Sequence, residues 1–205
     1  FIGWYMDSSG LVERVDVSHF RLSVHLIIAF FIISLILWNY FILKIEKNFS
    51  NKLKIYLPIF FIFLIFLQII IGAFVSGMDA GRIYNSWPLM GDAYFPNDNK
   101  FINLFKLSAF SDPSLVQFMH RNLAYVILAF YIFIFIKIYK NQISRLYFSI
   151  NIIGLILIIQ IVLGIFTLIH GAQIILASMH QISSIFLVSS SIYFLFLNSN
   201  QRLSN

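Results

Sequence analysis

Two histidines set in otherwise apolar stretches are the side chains of this 205-residue sequence best suited to chemistry. His120, with Arg121 beside it in Gln117-Phe118-Met119-His120-Arg121, opens the third of five long apolar runs, and His180 lies near the start of the fifth. An imidazole and a guanidinium about one helical turn inside a bilayer are unfavourable to place, so they mark a working site with a partner nearby. Two imidazoles at one depth, facing each other across a helix bundle, can clamp a flat macrocycle; haem takes one imidazole on each face of its iron. The bland alternative is a pair that hydrogen-bonds within the bundle and binds nothing. Zinc fits poorly, because a structural site wants about four nitrogen or sulfur ligands, and the runs hold neither cysteine nor carboxylate.

The elements that must position these groups are membrane spans. Hydrophobic residues make up 60% of the chain and charged residues 11%, and the mean hydropathy is +0.88, which excludes a soluble domain and makes the lipid bilayer the first partner. The net charge of +6 falls in short loops rather than in a patch interleaved with exposed aromatics, so nucleic acid is excluded. The absence of cysteine removes disulfides, thiolate ligands, iron-sulfur clusters and covalent haem attachment, leaving histidine and packing to hold any haem.

Hydropathy predicts an all-α transmembrane fold of five spans, at about 20–43, 56–76, 115–138, 146–169 and 175–197, with Pro58 harmless in a first turn and a tight turn at Gly171. Residues 1–6 read as the last turns of a further helix, and the sequence reads as N-terminally truncated. The connection 77–114 is long and rich in turn formers, and Tyr84, Trp87, Tyr94 and Phe95 suit it to pack on the membrane surface or a ligand. Lys44, Lys47, Lys52, Lys54, Lys137, Lys140, Arg145 and Arg202 fall on one side with Glu46 as its acid; the other side carries seven acids against six bases. The positive-inside rule therefore predicts the N-terminus outside and the C-terminus in the cytoplasm.

In that topology His25, His120 and His180 each lie about five residues inside the outer face, a single layer roughly 7 to 8 Å deep. Arg21 and Arg121, at the same edge, suit bidentate pairing with haem propionates or snorkelling to headgroups. His170 and His19 are expected at the surface. An internal repeat is also visible: Gln68-Ile69-Ile70-Ile71-Gly72-Ala73-Phe74 matches Gln160-Ile161-Val162-Leu163-Gly164-Ile165-Phe166, and Ser23-Val24-His25 echoes Ser178-Met179-His180. Gln68, Gly72 and Ser76 share one helix face, as do Gln160, Gly164 and Thr167; small residues there permit close helix packing or a flat ring against the backbone. The repeat divides the chain into 1–48, a remnant of one four-helix half, and 49–205, a complete second half that binds haem.

With these residues in view, the chain resembles the heme A synthase family. The likeness runs through Gly3-Trp4-Tyr5-Met6 and Ser9-Gly10-Leu11, Arg21-Leu22 with His25-Leu26, Gly77-Met78-Asp79-Ala80-Gly81, Asn85-Ser86-Trp87-Pro88-Leu89-Met90-Gly91, His120-Arg121, Gln160 with Leu163-Gly164-Ile165, and His180-Gln181. The resemblance implies a pseudo-twofold protein of eight spans in a bacterial inner membrane, with haem sites near the outer face. It implies that His120 and His180 ligate the iron of heme b, flanked by Arg121, Gln160 and Gly164. His25, also an iron ligand, and Arg21 would lie on the substrate side, where a methyl group of heme O is oxidised to the formyl of heme A. Heme O synthase as a supplier, an electron donor of unspecified kind and a homo-oligomer are the further partners implied. The family's catalytic Glu-x-x-His-Arg is absent here, with Gln117 at the matching place, so the isolated chain is expected to be inactive. The alternative is a non-catalytic b-type membrane cytochrome that transfers electrons.

Overall fold

The computed structural model describes Trp4, residues 18–44 and residues 53–199. Among these, five helices are long and apolar enough to cross a membrane: α1 (His19–Lys44), α2 (Tyr56–Gly77), α3 (Pro113–Lys140), α4 (Tyr147–Ile169) and α5 (Ile174–Asn198). The protein is an all-helical, multi-pass membrane protein. Each helix starts and stops within two residues of the hydropathy reading, because a bilayer requires about 20 residues of self-satisfied backbone per crossing. Most of segment 1–6 and all of residues 45–52 lie outside the described residues.

Local signals set the ends. Asp112 caps α3 by accepting a hydrogen bond from the Leu115 N–H at 3.0 Å, and Pro113 follows where no intrahelical N–H is needed. Between α4 and α5 the chain reverses through Gly171 (φ +67°) and Ala172 (φ +55°), with the Ala172 N–H donating to the Thr167 carbonyl at 2.8 Å. The 78–112 connection is ordered by short 3-10 turns at Ala80–Arg82, Phe101–Phe105 and Leu107–Ser111.

Helices consecutive in sequence run antiparallel. The first turn of α1 meets the last turn of α2, where His19 packs against Phe74, with ring centroids 5.4 Å apart. That corrects the expectation of a surface residue: His19 begins the helix and is half-buried against α2, its Nε2 enclosed without a partner among the described residues. At the opposite end Asn198, buried, donates to the Leu53 carbonyl at 3.1 Å and accepts from the Leu53 N–H at 2.9 Å, tying the end of α5 to the approach to α2.

The main apolar core, including Phe61, Ile134, Ile138, Ile153, Phe194 and Phe196, fills that end of the bundle. Toward the long connection it thins. Every buried residue of α4 lies at or before Gln160, and every buried residue of α5 at or after Leu187. At the histidine end α4 and α5 are therefore only partly covered, while Ile71 and Phe74 of α2 and Val116 of α3 form a second, smaller buried cluster.

Candidate functional site

α3 carries His120 and α5 carries His180, each six or seven residues from its helix start, roughly 10 Å along the axis. Their ring centroids are 6.5 Å apart and their planes meet at 80°. A metal-imidazole bond of about 2 Å on each side, with about 1 Å more from nitrogen to ring centre, puts two axial imidazole centres about 6 Å apart. The observed spacing suits one iron between them.

The repeat seen in the sequence becomes a repeat in space. Gln68 of α2 donates through Nε2 to the His120 carbonyl at 3.0 Å and approaches the His120 Nε2 at 3.4 Å; Gln160 of α4 donates through Nε2 to the His180 carbonyl at 3.1 Å. One turn along each helix a glycine faces the ring itself: a methyl group at Gly72 would lie 3.0 Å from His120 Cε1, and one at Gly164 would lie 3.1 Å from His180 Cε1. Each histidine is therefore held from its own main chain by a glutamine and laid against glycine backbone. Gln68 and Gly72 belong to the site as much as Gln160 and Gly164 do, and the matched septets were the signal that finds them. Thr167, by contrast, donates to Leu163 of its own helix at 2.7 Å.

Both rings leave Nδ1 buried without a hydrogen-bond partner among the described residues. Buried imidazole nitrogens are normally satisfied, and in metal sites the ion and an outer hydrogen bond share that task. Among the described residues no group of three or more His, Asp or Glu gathers to hold a bare metal ion. A haem supplies four equatorial nitrogens of its own and needs only two axial ligands, so the donor set fits it.

Arg121 faces the long connection. Its Nη1 donates to the carbonyls of Ser86 at 2.9 Å and Leu89 at 3.2 Å, and its Nη2 to the carbonyl of Tyr84 at 2.9 Å. Gln117, one turn earlier and buried, donates to the same Tyr84 carbonyl at 3.1 Å, and Tyr125, one turn later, accepts from Trp87 Nε1 at 3.1 Å. These three side chains recur every fourth residue on one face of α3 and hold the 84–89 stretch over the histidine end. The guanidinium expected at the membrane edge, beside propionates or headgroups, grips backbone carbonyls of the connection. A second tie lies alongside: Asp98 accepts from Ser114 Oγ at 2.6 Å and from Tyr84 Oη at 3.0 Å. Partial burial alone would raise the Asp98 pKa, but these hydrogen bonds outweigh it and hold the carboxyl below its ordinary value. Burial and then the neighbouring carboxylate push the Tyr84 phenol up.

The other sequence candidates stand apart. His25 is half-buried on α1, and among the described residues no ring contact joins it to His120 or His180. A groove of about 350 Å³ opens between α1 and α5, lined by Leu26, Ala29, Phe30, Ser178, Gln181 and Ile182, next in sequence to His25 and His180. Arg21 is half-buried in the first turn of α1. His170 is exposed, with Nδ1 2.8 Å from the Phe166 carbonyl, as a surface histidine should be.

A family model for the COX15-CtaA cytochrome oxidase assembly protein matches residues 1–192, nearly the whole chain. The chain belongs to that family. It is similar to the heme A synthase of Pelagibacter ubique, 46% identical over 200 residues, which covers 98% of this chain and 59% of the relative. It is also similar to the heme A synthases of Rickettsia prowazekii (39% identical; 97% of this chain, 60% of the relative) and Flavobacterium johnsoniae (38% identical; 94% and 58%). The chain thus spans about three-fifths of the length of the curated relatives it matches. No solved structure matches it. Membership places the histidine pair in a family of oxidase assembly proteins.

Proposed function

We propose that residues 49–205 form the haem-holding half of a heme A synthase, in which His120 and His180 would hold the iron of heme b, and that residues 1–48 belong to a preceding half of the same kind. The reading rests on one observation above all: two imidazoles from α3 and α5, centred 6.5 Å apart, with Nδ1 of each unpartnered among the described residues. Gln68 and Gln160 fix the level of the two rings, and Gly72 and Gly164 allow them to lie back against the helices. Gln117, Arg121 and Tyr125 keep the connection folded over the site and limit the access of water. Bound there, the haem would supply one-electron transfer.

In the complete protein the reaction is oxidation of a methyl group of heme O to the formyl of heme A, with His25 and Arg21 on the substrate side. No Glu-x-x-His-Arg occurs among these 205 residues, so the chain alone holds haem without carrying out that oxidation. The histidine end faces the outer side of a bacterial inner membrane, in keeping with the lysine-rich 44–54 and 137–145 connections at the opposite end. The test is a reduced-minus-oxidised spectrum of the purified protein. A b-type signal is expected, lost in His120→Ala and in His180→Ala; a signal that survives both substitutions overturns the ligand assignment.

A further inference from the structure

The 3-10 turn Phe101–Phe105 and the residue pair after it expose more apolar surface than any function so far explains: Phe101 is 63% accessible, Ile102 62%, Phe105 75% and Leu107 89%. Contiguous apolar exposure of this kind in a polar loop marks an interaction surface. Its position follows from what it packs on. Phe110 meets Phe74 of α2 with ring centroids 6.2 Å apart, and Phe101 meets Phe95, which in turn meets Phe118 of α3 at 5.0 Å. Phe74 lies three residues before the end of α2 and Phe118 five residues into α3, roughly 5 to 8 Å inside the spans. Phe101 at the start of the segment and Phe110 in the turn after it are thus tied at the level of the outermost helical turns. Exposed Lys100 and Lys106 bracket it, with the Lys106 Nζ donating to Asn103 at 2.9 Å. Aromatic and aliphatic side chains flanked by lysine are the composition of a segment lying in the headgroup layer, where long amines reach the phosphates.

We propose that residues 101–107 are inserted in the membrane interface, with Phe101, Ile102, Phe105 and Leu107 among the upper acyl chains and Lys100 and Lys106 on lipid phosphates. The 3-10 turn Leu107–Ser111 and the cap Asp112 join the segment to α3, so this anchorage bears on the loop from which the helix carrying His120 starts.

The sequence has no cysteine, so a single introduced thiol can be labelled without background. The full chain is reconstituted in nanodiscs of phosphatidylcholine and phosphatidylglycerol, with a nitroxide at Phe105→Cys or Leu107→Cys, at the exposed loop position Asp92→Cys, or at the lipid-facing mid-span position Ile158→Cys. Oxygen partitions into acyl chains and a nickel chelate does not, so the oxygen-to-nickel collision ratio at 105 and 107 should exceed that at 92 by about an order of magnitude. It should remain below the value at 158. A ratio equal to that at 92 means the segment stands in water, and exclusion of both reagents means that protein, a second copy or another chain, covers it. Either result overturns the proposal.

Discussion

Replacing Gly164 by alanine tests how the histidine pair is built. The added methyl would sit 3.1 Å from His180 Cε1, and the equivalent change at Gly72 would put one 3.0 Å from His120 Cε1. Carbon atoms rest comfortably at about 3.5 to 4.0 Å, so each ring must retreat by about 0.5 Å. Ligand positions in metal sites hold to within about 0.2 Å, so a retreat of this size would weaken the hold of the pair on a haem. Changes that displace a ligand indirectly weaken metal binding by about 10- to 100-fold, or about 1.4 to 2.7 kcal/mol. Haem retained per protein after purification, together with the Soret and α bands, reads this directly; thermal unfolding of the haem-free protein serves as the control. In each case the nearest atoms are those of the imidazole rather than a helix backbone, so unfolding should be unchanged while haem retention falls, and Gly164→Val should abolish it. Wild-type haem content in Gly72→Ala and Gly164→Ala, or a loss of stability without loss of haem, would refute the reasoning and return these glycines to ordinary helix packing.

Two further outcomes follow from the connection over the site. Arg121→Met keeps the length of the side chain and removes the donors to three carbonyls, which should destabilise the 84–89 stretch by about 3 kcal/mol and speed its amide hydrogen exchange by about two orders of magnitude. Protection in the spans should persist, and unchanged loop exchange would contradict the clasp. Because the Asp98 carboxyl is held below its ordinary value of 3.8, its contribution to loop stability is complete above about pH 4 and fades as the pH falls through the lower, folded value. Loop protection measured between pH 6 and pH 3 should therefore drop at the acid end in the wild type and change little in Asp98→Asn; equal acid sensitivity in both rules the network out.

The spans were legible because lipid leaves the backbone only helices and closed barrels, and continuous apolar runs of about 20 residues select the helix. The level of His120 and His180 was legible for the same reason: counting residues along a helix measures depth. Their separation was not, since it depends on which faces α3 and α5 turn to each other, and neither run has a polar stripe strong enough to orient it. The septets at Gln68 and Gln160 pointed to the missing information, but only the folded structure brings the glycines against imidazole rings. The role of Arg121 was hidden because its partners are main-chain carbonyls more than thirty residues away, and a carbonyl carries no residue type. His19 was misjudged because a boundary set by hydropathy does not say which helix ends touch.

The tie between Asn198 and Leu53 gives α5 a pinned foot. From there to His180 is 18 residues, an arm of roughly 27 Å. A rod fastened at its base cannot piston, so thermal motion of its tip is a sideways swing, and a tilt of about 2° carries the tip about 1 Å. Freeing the foot, as Asn198→Leu would, should add vertical slip to that swing and let the ring ride out of line with its opposite number.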